Sequence, residues 1–444
     1  MFSSSIRSDS CGGRSRRVHR GDCLPVHFYS SSRNTVTSVV GYVRKTRGRV
    51  LNYSENMQEF FQKDAGVRIY LHIPFCVRKC LYCDFLSMPQ GEETRERYVN
   101  ALLCEIMHQG DCPPGTPVET IFFGGGTPSI LEERQLDAIL DALHERFCVP
   151  RDAEISLEMN PGTADSEKLR AMREMGINRL SIGVQAMHDG ELKLLGRIHT
   201  VEEAREAFQL ARKAGFENIN IDLMSALPGQ TFRDWSDTLA EAVGWGPEHI
   251  SAYSLIIEPG TPFSAMYESG DLPPVPEEET DRQMYHFTGE YLAGKGYRQY
   301  EISNYAKPGR ACRHNTGYWT GQEYLGFGIG AASCAGSMRF SNTRDLQEYV
   351  RAMAIPDILA VRTDLHRLTE REKMEEFMFL GLRMTAGVSR TAFASRFGKQ
   401  IEDVYGEVLQ KQIRQGVIIP TEDGVRLTQR GVDVSNYVLA DYLL

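Results

Sequence analysis

Val67-Arg-Ile-Tyr70-Leu-His72-Ile-Pro-Phe-Cys76-Val-Arg-Lys-Cys80-Leu-Tyr-Cys83-Asp84-Phe85 is the stretch on which the fold turns. It opens as a short apolar run, Val67–Ile73, of the kind that forms a buried strand. It ends in three cysteines spaced Cys-x3-Cys-x2-Cys. Ten cysteines scattered over 444 residues do not make a disulfide scaffold, whereas three within one short loop ask for a metal or redox reading. Zinc is one alternative, but a structural zinc takes four protein ligands, often as two Cys-x2-Cys pairs. No second pair follows: Cys104, Cys112 and Cys148 stand alone, and Cys312 and Cys334 lie far downstream. His72, the other nitrogen donor nearby, belongs to a strand whose side chains alternate in direction. A four-iron cluster on three cysteines leaves one iron open to a substrate or cofactor. A sulfonium cofactor could chelate that iron through its amine and carboxylate, bringing its sulfur to the electron source.

Outward from this stretch, strand-like and helix-like segments alternate. Strands are expected at 118–123, 154–158, 179–184, 218–223 and 250–255. Helices are expected at 93–109, 131–147, 166–175, 201–214 and 232–243, with Ser129 and Glu132 read as a capping box for the second. Six strands alternating with helices imply parallel β/α units, as an open doubly wound sheet or a partial barrel. Residues 258–279, rich in Pro, Gly and acids, read as a loop excursion, 282–295 as a helix, and 299–341 as a Gly- and aromatic-dense segment. From Leu365 the character changes: helices at 370–384 and 401–415, then short strands at 417–419 and 425–427, an order like that of a winged helix. The expected organisation is an extension at 1–56, a β/α domain at 57–345 and a smaller α+β domain at 365–444.

Composition narrows the classes. The chain is 41% hydrophobic, 25% charged and 9% aromatic, as expected of a globular protein. No run of eighteen apolar residues occurs, so a membrane-spanning helix is excluded. The net charge of -9 argues against a dedicated nucleic-acid binder. From Leu365 onward, eleven Lys/Arg face eleven Asp/Glu, so that module shows no basic face either. Residues 1–56 carry ten Lys/Arg against three acids and are Ser-rich. A transit peptide is one reading; a disordered extension, or translation from Met57, is the other. Lack of a clean apolar face favours the second, with a cytoplasmic protein.

In parallel β/α folds the working groups gather at the carboxyl ends of the strands. There the sequence places Gly124-Gly125-Gly126-Thr127-Pro128, whose missing side chains admit a ligand to the backbone. Glu158, Gln185 and Asp222 are read as closing strands three, four and five, each a polar group that is costly to bury unless something binds it.

The cysteine spacing at the end of a first strand resembles that of the radical S-adenosylmethionine (SAM) superfamily. The chain from about Arg68 onward is similar to the subgroup containing anaerobic coproporphyrinogen III oxidase and the HemW-type haem chaperones. The resemblance implies a partial (β/α)6 barrel with a C-terminal winged-helix-like domain, and a [4Fe-4S] cluster on Cys76, Cys80 and Cys83. It implies SAM contacts from Tyr70, Gly125, Gly126, Thr127, Glu158, Gln185, Arg197 and Asp222. The oxidase motif carries a further cysteine two residues beyond the third, where this chain has Phe85. His314-Asn-Thr-Gly-Tyr318-Trp319 matches the His-Asn-x-x-Tyr-Trp motif of the chaperone branch. It implies haem binding, with His314 as axial ligand, Tyr318 and Trp319 as flat faces, and Cys312 as an alternative thiolate. Arg310 and Arg313 are near enough in sequence to meet propionates. The resemblance therefore implies a carrier that passes haem to acceptor proteins, needs an electron donor for its cluster, and is compatible with a homodimer. The alternative is an oxygen-independent coproporphyrinogen III oxidase that abstracts hydrogen from propionate side chains.

Overall fold

The computed structural model describes residues 66–444, and the expectations for 1–56 lie outside them. β1 (Val67–Ile73) is buried along its whole length, because both faces are covered. Ile69, Leu71 and Ile73 pack into the main apolar core, while Arg68, Tyr70 and His72 alternate onto the opposite, inner face. The chain continues through α1 (Glu92–His108), β2 (Val118–Gly125), α2 (Glu133–Arg146), β3 (Glu154–Met159), α3 (Ser166–Glu174) and β4 (Arg179–Gln185). Next come α4 (Asp189–Leu194), α5 (Val201–Lys213), β5 (Ile219–Ser225), α6 (Phe232–Trp245) and β6 (His249–Ser254). All six expected strands are present and pair in parallel in sequence order.

Beyond β6 lie α7 (Pro262–Ser269), α8 (Glu278–Gly294), β7 (Arg298–Glu301), β8 (Asn304–Ala306), α9 (Arg313–Trp319) and β9 (Tyr324–Phe327). Then follow β10 (Ala332–Ala335), β11 (Met338–Asn342), α10 (Leu346–Met353) and β12 (Arg362–Arg367). The sheet holds twelve strands in the order β12-β11-β10-β9-β1-β2-β3-β4-β5-β6-β8-β7. β9 pairs in parallel with β1, extending the parallel centre by one strand, and the outer strands are antiparallel.

The C-terminal module comprises α11 (Glu370–Gly381), β13 (Val388–Ser389), α12 (Arg390–Phe397), α13 (Ile401–Arg414), β14 (Ile418–Pro420) and β15 (Gly424–Leu427), closed by two short helices. It has a small sheet and an apolar core of its own, including Met378, Phe393, Ile401, Tyr405 and Tyr442. It grips the barrel through a Glu301–Met384 bridge, Thr385 N–H donating to the Tyr300 carbonyl at 3.1 Å, and an Arg339–Glu376 ion pair. No helix among the described residues is long and apolar enough to cross a membrane.

Three local expectations are corrected. Ser129 does not cap α2: it sits in a 3-10 turn, bonded to Thr163 at 2.6 Å, and the box is made by Glu132 with Gln135. The 258–279 excursion contains α7, started by a Thr261 cap and Pro262 at its first position. Asp222 lies in the middle of β5 rather than at its end.

Candidate functional site

The cysteine loop leaves β1 at the carboxyl mouth of the sheet and is stitched to its neighbours by main-chain bonds. Gly126 N–H donates to the Ile73 carbonyl at 2.8 Å and Thr127 N–H to that of Phe75 at 2.7 Å. Leu81 N–H reaches the Leu195 carbonyl at 3.2 Å, tying the loop to the segment after α4. Cys76, Cys80 and Cys83 are free thiols of intermediate exposure. Each sulfur meets a polar group. The Thr127 hydroxyl donates to Cys76 Sγ at 3.4 Å, Arg197 Nη1 approaches Cys80 Sγ at 3.6 Å, and Ser87 Oγ lies 3.9 Å from Cys83 Sγ. Among the described residues no three His, Cys, Asp or Glu side chains are arranged to hold a single metal ion. His72 turns away from the sulfurs: its ring nitrogens pair with Tyr70 Oη at 3.0 Å and the Leu86 carbonyl at 2.8 Å. Burial pulls its pKa down to about 4.

Most residues that the resemblance assigns to SAM share this mouth. Gly125 N–H donates to Glu158 Oε2 at 3.0 Å. The left-handed φ of 108° at Gly125, with the His72 ring where a Cβ would stand, leaves no room for any other residue. Burial, then the nearby Asp222 carboxyl, pushes Glu158 up to about 8. Asp222 accepts from Asn220 Nδ2 at 2.7 Å and from Ser181 Oγ at 3.2 Å, and burial raises its pKa as well. Gln185 ends β4 at a positive φ of 76° and accepts from the Tyr253 hydroxyl at 3.0 Å. Arg197 donates to Asn160 Oδ1 at 2.6 Å and to the Gly183 carbonyl. Asn160 also donates to Thr127 at 2.8 Å, so it links the Thr127 and Arg197 hydrogen bonds to two cysteines. Sequence reasoning missed Asn160 and Tyr253. The signal for Asn160 was its place as the first polar residue beyond β3, the position already valued on neighbouring strands.

The His314 motif lies at the opposite end of the strands. His314 is 1% exposed, with Nδ1 2.7 Å from Thr120 Oγ1 and Nε2 3.0 Å from Tyr318 Oη. Its ring stacks on Phe122, and burial pulls its pKa down to about 3. Glu154, the first residue of β3, caps α9 by accepting the amides of Arg313 at 3.0 Å and His314 at 3.1 Å. Tyr318 and Trp319, expected as flat faces for haem, are both packed against neighbours. Tyr318 packs edge-on against Tyr324, and Trp319 is buried beneath the Arg383 guanidinium, 4.4 Å from its ring centroid. Cys312 is no ready thiolate: it is buried, its thiol donates to Glu154 at 3.5 Å, and burial pushes it up to about 12. Arg313 donates to the Asp152 carbonyl at 2.9 Å.

Residues 70–242 match the profile of the Radical SAM superfamily, and 368–434 that of the HemN C-terminal domain. "Heme chaperone HemW" of Bacillus subtilis is 38% identical over 379 residues, covering 84% of this chain and 98% of that protein. The HemW of Escherichia coli is 36% identical, covering 84% and 97%. A mouse protein named "Radical S-adenosyl methionine domain-containing protein 1, mitochondrial" is 33% identical, covering 84% and 87%. In structure, the chain is similar to coproporphyrinogen III oxidase (HemN) from Escherichia coli, with a TM-score of 0.75 over 87% of this chain and 92% of that one. That likeness, at 23% identity, concerns the fold. With cysteine loop, β/α sheet and C-terminal module all matched, the chain belongs to the HemW-type family of radical SAM proteins.

Proposed function

We propose that this protein is a haem chaperone, which binds haem and hands it to acceptor proteins in the cytoplasm. It would carry a [4Fe-4S] cluster on Cys76, Cys80 and Cys83 and exchangeable SAM. Its similarity to the HemW proteins supports the chaperone part, and one observation carries the cluster and SAM: three thiols on a single loop, each met by a hydroxyl or guanidinium, beside Glu158, Gln185, Arg197 and Asp222. A cubane takes its cysteines on separate irons, so it does not need ligands converging on one point, and hydrogen bonds to its sulfurs tune its potential. When bound, the cluster and SAM supply one-electron chemistry. The chain's own residues bind and orient. Gly125 and Gly126 open the backbone to SAM, Arg197 fits its carboxylate, and Glu158 and Asp222 fit ribose hydroxyls or the ammonium.

Haem is proposed at α9, with His314 as ligand. His314 reaches iron only by exchanging its bond to Tyr318 or Thr120. An electron donor for the cluster is part of the proposal, and a homodimer is compatible with it.

The test uses anaerobically reconstituted full-length protein. Haemin titration is expected to give a saturable spectrum that His314→Ala alters, followed by transfer to an apo-haemoprotein. An unchanged spectrum and affinity in His314→Ala would remove that ligand. Stoichiometric protoporphyrinogen from coproporphyrinogen III and SAM would establish the oxidase instead.

A further inference from the structure

Side chains on the inner face of the parallel strands form rows that the strand register makes explicit. Ser156 of β3 pairs with Arg179 of β4, Ser181 with Asn220 of β5, and Gly183 with Asp222. Arg179 is 2% exposed, and its guanidinium makes no hydrogen bond or ion pair with any described residue, its Nε included. Ser156, fully buried beside it, has a hydroxyl with no partner either.

Other groups face the guanidinium, but each is committed elsewhere. Glu154 accepts the two α9 amides and the Cys312 thiol. Asp222 accepts from Ser181 and Asn220, and Glu158 from Gly125. His249 bonds Asn220 at 2.6 Å and Tyr300 at 2.8 Å, while His314 bonds Thr120 and Tyr318. Burial holds both imidazoles neutral. Burial opposes the charge, but Cys312, Glu154, Tyr300 and Asp222 nearby hold the Arg179 pKa above its ordinary value without hydrogen-bonding the guanidinium; a carboxylate matches that unused fork with two parallel bonds.

We propose that Arg179 and Ser156 form a carboxylate-binding subsite inside the barrel, two residues deeper along β3 than Glu158. It would take the acid arm of a ligand bound near α9, whose capping residue Glu154 lies two residues before Ser156 on β3. Arg197, to which the family resemblance assigns SAM, is already tied to Asn160, Gly183 and Cys80, so this is a second guanidinium with a separate role. Resting on the function proposed above, the ligand that bears the required group is the haem proposed at α9, through a propionate; SAM, whose single carboxylate is placed at Arg197 and the open iron, is the control.

The experiment compares wild-type reconstituted protein with Arg179→Gln and Arg179→Lys. Dissociation constants are measured for SAM against decarboxylated SAM, and for haemin against haemin dimethyl ester. For the haemin pair, wild type is expected to prefer the free acid about tenfold more than Arg179→Gln does, with Arg179→Lys between them, while the SAM pair is unaffected by either substitution. The same gap in the SAM pair in place of the haemin pair would overturn the assignment to a propionate. Identical preferences in wild type and Arg179→Gln for both pairs overturn the subsite while leaving the chaperone reading intact. Binding of neither ligand overturns both. Should Arg179→Gln not fold, crystals of the wild type soaked with each ligand decide. A carboxylate oxygen on the Arg179 fork supports the subsite, and water alone there refutes it.

Discussion

Replacing Gly126 by alanine is expected to unseat the cysteine loop. An added Cβ would stand 2.6 Å from the Phe75 carbonyl oxygen, 2.8 Å from that of Ile73 and 2.9 Å from the Phe75 nitrogen. All three are main-chain atoms, so no side chain can swing aside. Ordinary van der Waals contact begins at 3.4 Å, so the loop and the end of β2 must part by up to about 0.8 Å. The same two carbonyls accept the Gly126 and Thr127 amides, so the separation stretches both bonds. Overpacking of about 1–3 kcal/mol plus weakened hydrogen bonds suggests a loss of roughly 2–4 kcal/mol. That corresponds to a fall in Tm of roughly 2–5 °C for a chain of this size. Calorimetry of the anaerobic protein and iron counting after reconstitution are the assays, with lower iron occupancy expected alongside the lower Tm. Gly124→Ala is the control, because its Cβ would meet only ring atoms of Phe122 and Tyr70, at 3.0 Å. Wild-type Tm and iron content in Gly126→Ala, or equal damage from Gly124→Ala, would refute the reasoning.

Three further outcomes follow from the same geometry. Thr127→Val removes the hydroxyl that donates to Cys76 Sγ, so the reduced cluster loses a stabilising donor; redox titration should find a lower midpoint potential, and an unchanged or higher one contradicts this. Glu158 has its pKa raised to about 8, so the native state holds a proton that the unfolded chain releases near its ordinary 4.5. Stability from this group is therefore full below about 4.5 and is lost as pH rises through about 8. Thermal melts from pH 5 to 9 should show a shallower decline in Glu158→Gln than in wild type; parallel curves sink the idea. Arg383→Ala uncovers Trp319 and leaves the buried Glu301 carboxyl without its ion-pair partner at 3.9 Å, at a cost of about 3–5 kcal/mol, with a red shift in tryptophan emission. An unshifted spectrum and Tm would remove the clamp.

The strands were legible because each is an apolar run between turn signals, and tertiary burial on both faces rewards that composition. Their parallel order follows from the alternation with helices. The ninth strand's pairing with β1 was not legible: Tyr324–Phe327 is four residues long and joins the sheet by a contact over 250 residues away in sequence. Ser129 misled because cap spacing is satisfied equally by Glu132 and Gln135, and only the Pro128 turn decides between them.

At the carboxyl mouth, position along a strand was enough to find Glu158 and Gln185. It misjudged Asp222, which lies in mid-strand but on the inner face. The His314 motif shows where linear reading ends. Nothing in its spacing reveals that Glu154 anchors α9 at the amino end of the strands, or that Arg383, from another module, covers Trp319. Arg179 was hidden for a related reason, since a strand-opening arginine looks like a surface residue until register places it on the inner face.

The central claim is a cubane held by three protein sulfurs with one iron left to SAM. Anaerobic reconstitution of the full chain, with iron and sulfide counting and electron paramagnetic resonance of the reduced protein with and without SAM, tests it most directly. Four irons and four sulfides per chain are predicted. SAM should change the signal in wild type, and replacing Cys76, Cys80 or Cys83 by alanine should abolish it. A chain that binds zinc but no iron, or a cluster whose spectrum ignores SAM because a fourth residue completes it, would contradict the account.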